Sequence, residues 1–239
     1  MREKDEQPGA AVELNPGGSL FSRAAVARIA PFLAYIFFIF ATDMLERMGL
    51  SAQDLRWLYA ARIGAVMLLL AAFWREYGEL RLPRLSLAQV AVSILTGVVV
   101  LVLWVNLSAP WMLVGEPAGF DPRTNGQLDW LMVVVRIFGA AAVVPIMEEL
   151  FWRSFLMRWI VSPDFENVDP AQTTWKAALI TIVLFGFEHN QWFAGIVAGV
   201  AYSALYVRYR TIWMPILAHA VTNLLLGIWV VRTGNWSYW

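Results

Sequence analysis

Long apolar runs, each closed by a short polar or Pro/Gly stretch, set the rhythm of the chain. Runs suited to membrane helices cover 25–45, 57–74, 86–107, 129–158, 174–190, 192–208 and 212–231. A helix needs about 20 residues to cross the hydrocarbon core. The pattern predicts an all-α fold, a polytopic transmembrane helix bundle of seven to eight spans. The fourth run is the longest and contains Pro145, which predicts a kink or a concealed partial span. The stretch 108–129 is rich in Pro, Gly and Asp and is the one substantial loop between runs. Three regions follow: a flexible polar tail at 1–23, N-terminal membrane helices and the loop at 24–128, and a membrane core at 129–239.

Composition supports this class. Hydrophobic residues make up 59% of the chain against 15% charged, more apolar and less charged than soluble domains. The formal net charge is zero, so no basic footprint points to nucleic acid. Cysteine is absent, which removes disulfides, thiolate metal sites and a Cys nucleophile. The tail is not followed by a small-residue cleavage site, so the first apolar run is expected to be a retained helix rather than a signal peptide.

Loop charges suggest an orientation. With the N-terminus inside, Arg47, Arg56, Arg123 and Arg232 fall outside, against a larger inner set that includes Arg28, Arg75, Arg158 and Arg210. This bias predicts an integral, multi-pass protein of a bacterial inner membrane with a cytoplasmic N-terminus. Trp57, Trp74, Trp111, Trp130, Trp175 and Trp213 sit near run ends, as interfacial anchors do. Arg62 and Arg136 lie within runs; binding of lipid headgroups or a substrate carboxylate is one reading, and snorkelling to the interface is the favoured expectation.

Against this background "PIMEELFWRSFLMRW", residues 145–159, stands out. Each ionised side chain at a bilayer centre costs roughly 2.5–3.5 kcal/mol on insertion scales. On a helix Glu149 and Arg153 are four apart, the favourable order for an ion pair. Glu148 projects about 100° away and is left free. The chain has only two histidines, and both fall in apolar runs: His189 in "LFGFEHNQW" and His219 in "MPILAHAVTNLLL". His219 and Asn223 share a helical face, as do Phe185 and His189. Three helices thus direct a carboxylate, two imidazoles and a carboxamide toward one buried polar cavity.

Glu-Glu-x-x-x-Arg (148–153), Phe-x-x-x-His (185–189) and His-x-x-x-Asn (219–223), in this order, resemble the CPBP intramembrane proteases, which include the type II CAAX prenyl endopeptidases. The resemblance covers residues 130–231, the catalytic part of the 129–239 core. It implies that Glu148 and His189 activate water, that His219 and Asn223 stabilise the oxyanion, and that Glu149 and Arg153 support them. The substrate implied is a peptide or protein at the membrane, and no cofactor is required. Zinc held by Glu148, His189 and His219 is the alternative, although the zincin His-Glu-x-x-His spacing is absent. A non-catalytic scaffold or immunity protein of the same family is the second functional alternative. "VVPIMEELFWRSFLMRW" also resembles CAAX-protease-related proteins found with exosortase sorting systems, which implies such a system as partner. Glu188 departs from the family pattern, where small or apolar residues are common.

Outside these motifs, Ser93, Ser154 and Ser203 carry no nucleophile signature and are expected to pack or bond backbone. "GIVAG" (195–199), extended by Ser203, is a small-residue face for close helix packing.

Overall fold

The computed structural model describes residues 22–81, 85–115 and 119–239. The tail expected at 1–23 therefore lies outside the described residues except for Ser22 and Arg23. Arg23 already belongs to the first helix, which Ser22 caps by accepting from the Ala25 N–H at 3.1 Å.

Seven apolar helices carry the described chain: α1 (Arg23–Arg47), α2 (Ala52–Ala72), α3 (Leu87–Asn106), α4 (Trp130–Trp159), α5 (Trp175–Phe187), α6 (Trp192–Tyr209) and α7 (Trp213–Thr233). Five of them, α1 to α4 and α7, are long and apolar enough to cross a membrane. The fold is a mostly helical membrane bundle. Helix α5 has only 13 residues, well short of the ~20 a span needs.

Polar caps set the starts. Ser86 and Gln89 form a reciprocal capping box on α3, Asp129 caps α4, and Thr174 caps α5. Left-handed residues set two ends, Arg210 after α6 and Gly234 after α7.

Helix α4 differs from its sequence expectation. Pro145 neither breaks it nor hides a further span, and the helix is continuous over 30 residues. Its backbone widens twice into π-helical turns, at Gly139–Val143 and at Leu150–Leu156. Proline lacks an N–H and its ring clashes with the carbonyl four residues back. A wide turn just before Pro145 accommodates both defects. The second wide turn falls inside the charged motif, where such bulges are often functional.

Glycines bring the helices together. A Cβ on Gly97 of α3 would strike the Ala218 carbonyl oxygen of α7, and one on Gly139 of α4 would strike the Tyr59 hydroxyl of α2. Gly195 rests on the backbone of Gly186, and Gly199 on Phe185 and Ile182. The 195–199 face therefore packs inside the bundle, between α5 and α6. Overpacking a filled core costs about 1–3 kcal/mol. Gly97→Ala is expected to lower the thermal unfolding midpoint, while the exposed-end Gly49→Ala, with open space around it, reports only the strain of its positive φ.

Described parts of the loop, 107–115 and 119–129, pack against one end of the bundle. Val114 and Asn190 exchange backbone and side-chain hydrogen bonds, and the Phe120 N–H donates to the Trp236 carbonyl at 3.2 Å. Asn125 and Gly126, both with positive φ, turn a short hairpin of β1 (Arg123–Thr124) and β2 (Gln127–Leu128). Beside it, hydrogen bonds from Arg123 hold the Asp121 carboxyl below its ordinary pKa.

The other end holds a buried ion cluster that sequence reasoning missed. Arg28 clamps both oxygens of Glu79, at 2.9 and 2.7 Å, and donates to Ser154 Oγ at 3.0 Å. Arg158 donates to the same hydroxyl at 2.8 Å. Arg28 and Arg158 are therefore buried in protein rather than lying in a charged loop, and they drop out of the orientation count. Ser154 is a shared node rather than a packing hydroxyl. Burial also raises the Tyr77 phenol above its ordinary pKa, so it stays protonated and donates to the Ala27 carbonyl at 2.7 Å.

Candidate active site

The charged motif occupies the junction between the α-helical and π-helical parts of α4. Glu148, Glu149 and Arg153 are all buried there. Arg153 donates to Glu149 Oε1 at 3.1 Å, which confirms the expected i,i+4 pair. Its guanidinium lies 4.3 Å from the Phe185 ring centre, and its other amine reaches the Gly199 carbonyl at 3.4 Å. Cation–π contact and hydrogen bonds together offset part of the desolvation of this cation.

Helix α7 delivers His219 to the same place. Its Nδ1 stands 3.1 Å from Glu149 Oε1, and its Nε2 stands 4.0 Å from Glu148 Oε2. The ring is stacked on Tyr202 at 4.9 Å, and Tyr202 donates to Thr222 at 2.8 Å. This packing fixes the ring plane. Nδ1 is the ring nitrogen turned to Glu149, and Nε2 is the one turned to Glu148. Glu148 Oε2 is buried without a hydrogen-bond partner among the described residues. The cluster thus runs Arg153, Glu149, His219, Glu148, with one acceptor left open at its end.

His189 and Asn223 stand beside this cluster rather than bonded into it. His189 is not on a helical face with Phe185, because α5 ends at Phe187. In the turn that follows, its Nδ1 lies 2.8 Å from the Phe185 carbonyl oxygen and its ring 4.8 Å from the Phe185 ring. Phe185 in turn stands 6.2 Å from the His219 ring, so it neighbours both imidazoles. No hydrogen bond joins His189 to Glu148 among the described residues. Asn223, one turn beyond His219, donates to the Ala140 carbonyl at 2.9 Å. That carbonyl lies in the first π turn of α4, where widening frees acceptors.

Glu188 joins this neighbourhood, which its departure from the family pattern did not foretell. Trp152 Nε1 donates to it at 2.9 Å. Arg62 and Arg136 do not snorkel outward. Both turn onto the ring of Tyr59, at 4.7 and 4.3 Å. Among the described residues no group of three or more His, Asp or Glu is placed to hold a metal ion.

Fold and cluster define a helical membrane protein with acid and base groups enclosed in its core. Residues 130–225 match the family model described as "Type II CAAX prenyl endopeptidase Rce1-like", which places this segment among the CAAX-type membrane proteases. The match contains all the motif residues from Glu148 to Asn223 and leaves α1 to α3 outside. The matched family is one of membrane proteases, and the apolar helical bundle of this chain agrees with that setting. No curated protein and no solved structure matches the chain.

Proposed function

We propose that this protein is an intramembrane endopeptidase in which Glu148 handles the proton of the attacking water. The observation that carries this reading is the buried, unpartnered oxygen of Glu148, 4.0 Å from His219 Nε2. A buried carboxylate oxygen with no hydrogen bond costs stability, and chemistry is the function that accounts for keeping it. The bundle would cross the membrane seven to eight times with the N-terminus cytoplasmic, the 13-residue α5 crossing only where the bilayer is locally thinned, around a polar cavity holding Glu148, His189, His219 and Asn223.

In the proposed reaction, a water positioned by Glu148 and His189 attacks the scissile carbonyl carbon as Glu148 takes a proton. Glu148 then passes that proton to the leaving amine as the carbon–nitrogen bond breaks. The oxyanion forms near His219 and Asn223, and Asn223 exchanges its bond to Ala140 for one to the oxyanion.

The 3.1 Å approach of His219 Nδ1 to Glu149 bears on how this ring would meet the oxyanion. With Nδ1–H engaged by Glu149, Nε2 donates only in the imidazolium form. Glu149, paired with Arg153 at 3.1 Å and with His219 Nδ1 at 3.1 Å, holds the His219 ring in place.

The test is turnover of candidate membrane peptides by reconstituted protein. Asn223→Ala is expected to lower kcat by about 10²–10³, the usual loss for one oxyanion donor, with KM nearly unchanged. Dialysis against a chelator is expected to leave turnover intact. Activity lost to chelator and restored by zinc alone would assign Glu148, His189 and His219 to a metal instead. A sorting-system partner of exosortase type is proposed from the sequence resemblance, and co-purification with such a system tests it.

A further inference from the structure

Two arginines inside the bundle have no acid to face. Arg62 of α2 and Arg136 of α4 flank one ring, Tyr59, and Arg62 also lies 4.5 Å from Tyr35 and Arg136 5.0 Å from Phe120. Their Nε atoms are buried without an acceptor, and neither side chain has a salt bridge among the described residues. The two like charges act on each other. Stacking on aromatic faces lowers the cost of each guanidinium, yet it satisfies none of their N–H groups.

Helices α2 and α4 run side by side from this point, with Gly139 seated against Tyr59 and Ile63. Just beyond that contact they part around a groove of about 310 Å³, walled by Met67, Leu70, Phe138, Ala142 and Ile146. Met67 and Phe138 are exposed, so the groove opens sideways, toward the surrounding lipid. It begins two residues past Arg136 and ends near Trp74 and Tyr77. From Phe138 to Ile146 it runs about 12 Å along the helix axis.

We propose that this cleft is a site for one anionic phospholipid, with its phosphodiester on Arg62 and Arg136 and an acyl chain in the groove. The forked guanidinium donors suit a phosphate. The apolar wall suits a hydrocarbon chain and offers a peptide backbone no hydrogen bonds, which an extended peptide would need in so dry a groove. Arg136 starts six residues into α4, about 9 Å below Trp130, and its guanidinium reaches back to Phe120 of the end loop. That places the head at the depth where an aromatic belt marks the interface. The site does not depend on the proposed catalysis.

Native mass spectrometry of the detergent-solubilised full chain, titrated with phosphatidylglycerol or phosphatidylcholine of equal chain length, tests it. Two basic side chains at a membrane surface correspond to roughly a thirtyfold preference for the anionic lipid. The Arg62→Gln/Arg136→Gln double variant is expected to bind both lipids equally. Ala142→Phe, which fills the groove and spares both arginines, is expected to lose the bound phosphatidylglycerol. Equal affinity of the wild type for both lipids overturns the proposal, as does unchanged binding in Ala142→Phe. So does complete displacement of phosphatidylglycerol by inorganic phosphate, since the chain would then contribute nothing. Protection by a peptide with a free terminal carboxylate, without phosphatidylglycerol binding, would reassign the arginines to substrate.

Discussion

Arg153→Met is expected to cost about 3–5 kcal/mol of stability, the usual loss when one partner of a buried pair is removed. The substitution leaves Glu149 fully buried, facing His219 alone. Its other oxygen already lacks a partner among the described residues, so no second donor takes over. Glu149→Gln is expected to fall in the same range, because it strands Arg153 between two aromatic rings. The double variant Glu149→Gln/Arg153→Met should lose less than the sum of the two, since it removes both charges together. Thermal unfolding in detergent, followed by tryptophan fluorescence, reads all three. Additive losses would show that the 3.1 Å pair does not couple the residues.

Glu148→Gln, one residue earlier on the same helix, should behave in the opposite way. Turnover is expected to fall by about 10²–10⁴ or more, the range for losing a positioned general base. The unfolding midpoint is expected to stay near wild type or rise, because the amide is nearly isosteric and needs no counter-charge in an apolar setting. Steady-state kinetics and the same unfolding assay, run on one preparation, give both numbers. Loss of stability with retained turnover would make Glu148 a structural residue and favour the scaffold reading.

The contrast between these adjacent glutamates shows how much of the site was legible in sequence. The i,i+4 spacing of Glu149 and Arg153 and the divergence of Glu148 follow from helical geometry alone, and the structure keeps both. The seven apolar helices were legible for the same reason, since each is a run of hydrophobic residues closed by a cap or a left-handed residue. The two π turns of α4 were not, because a widened turn leaves no residue signature beyond Pro145. Nor was the place of His189: whether α5 continues through Glu188 depends on where the end loop draws the chain, through Val114 and Asn190.

Long-range pairings were the other blind spot. Arg28 read as a loop cation because its acid, Glu79, lies 51 residues away. Its position three residues past the start of the apolar run 25–45 was the available signal. Arg62 and Arg136 read as snorkelling side chains because Tyr59 and Phe120 reach them only through the fold. The "NG" of the hairpin, Asn125-Gly126, was a local signal that the loop's overall polarity concealed.

The central claim, that Glu148 drives peptide hydrolysis in this core, is tested most directly by a product-mapped cleavage assay. Candidate membrane peptides are incubated with reconstituted wild type and with Glu148→Ala, each after chelator dialysis, and the fragments are mapped by mass. The account predicts a defined cut by the chelator-treated wild type and none by the variant. The same fragments appearing with Glu148→Ala would contradict it.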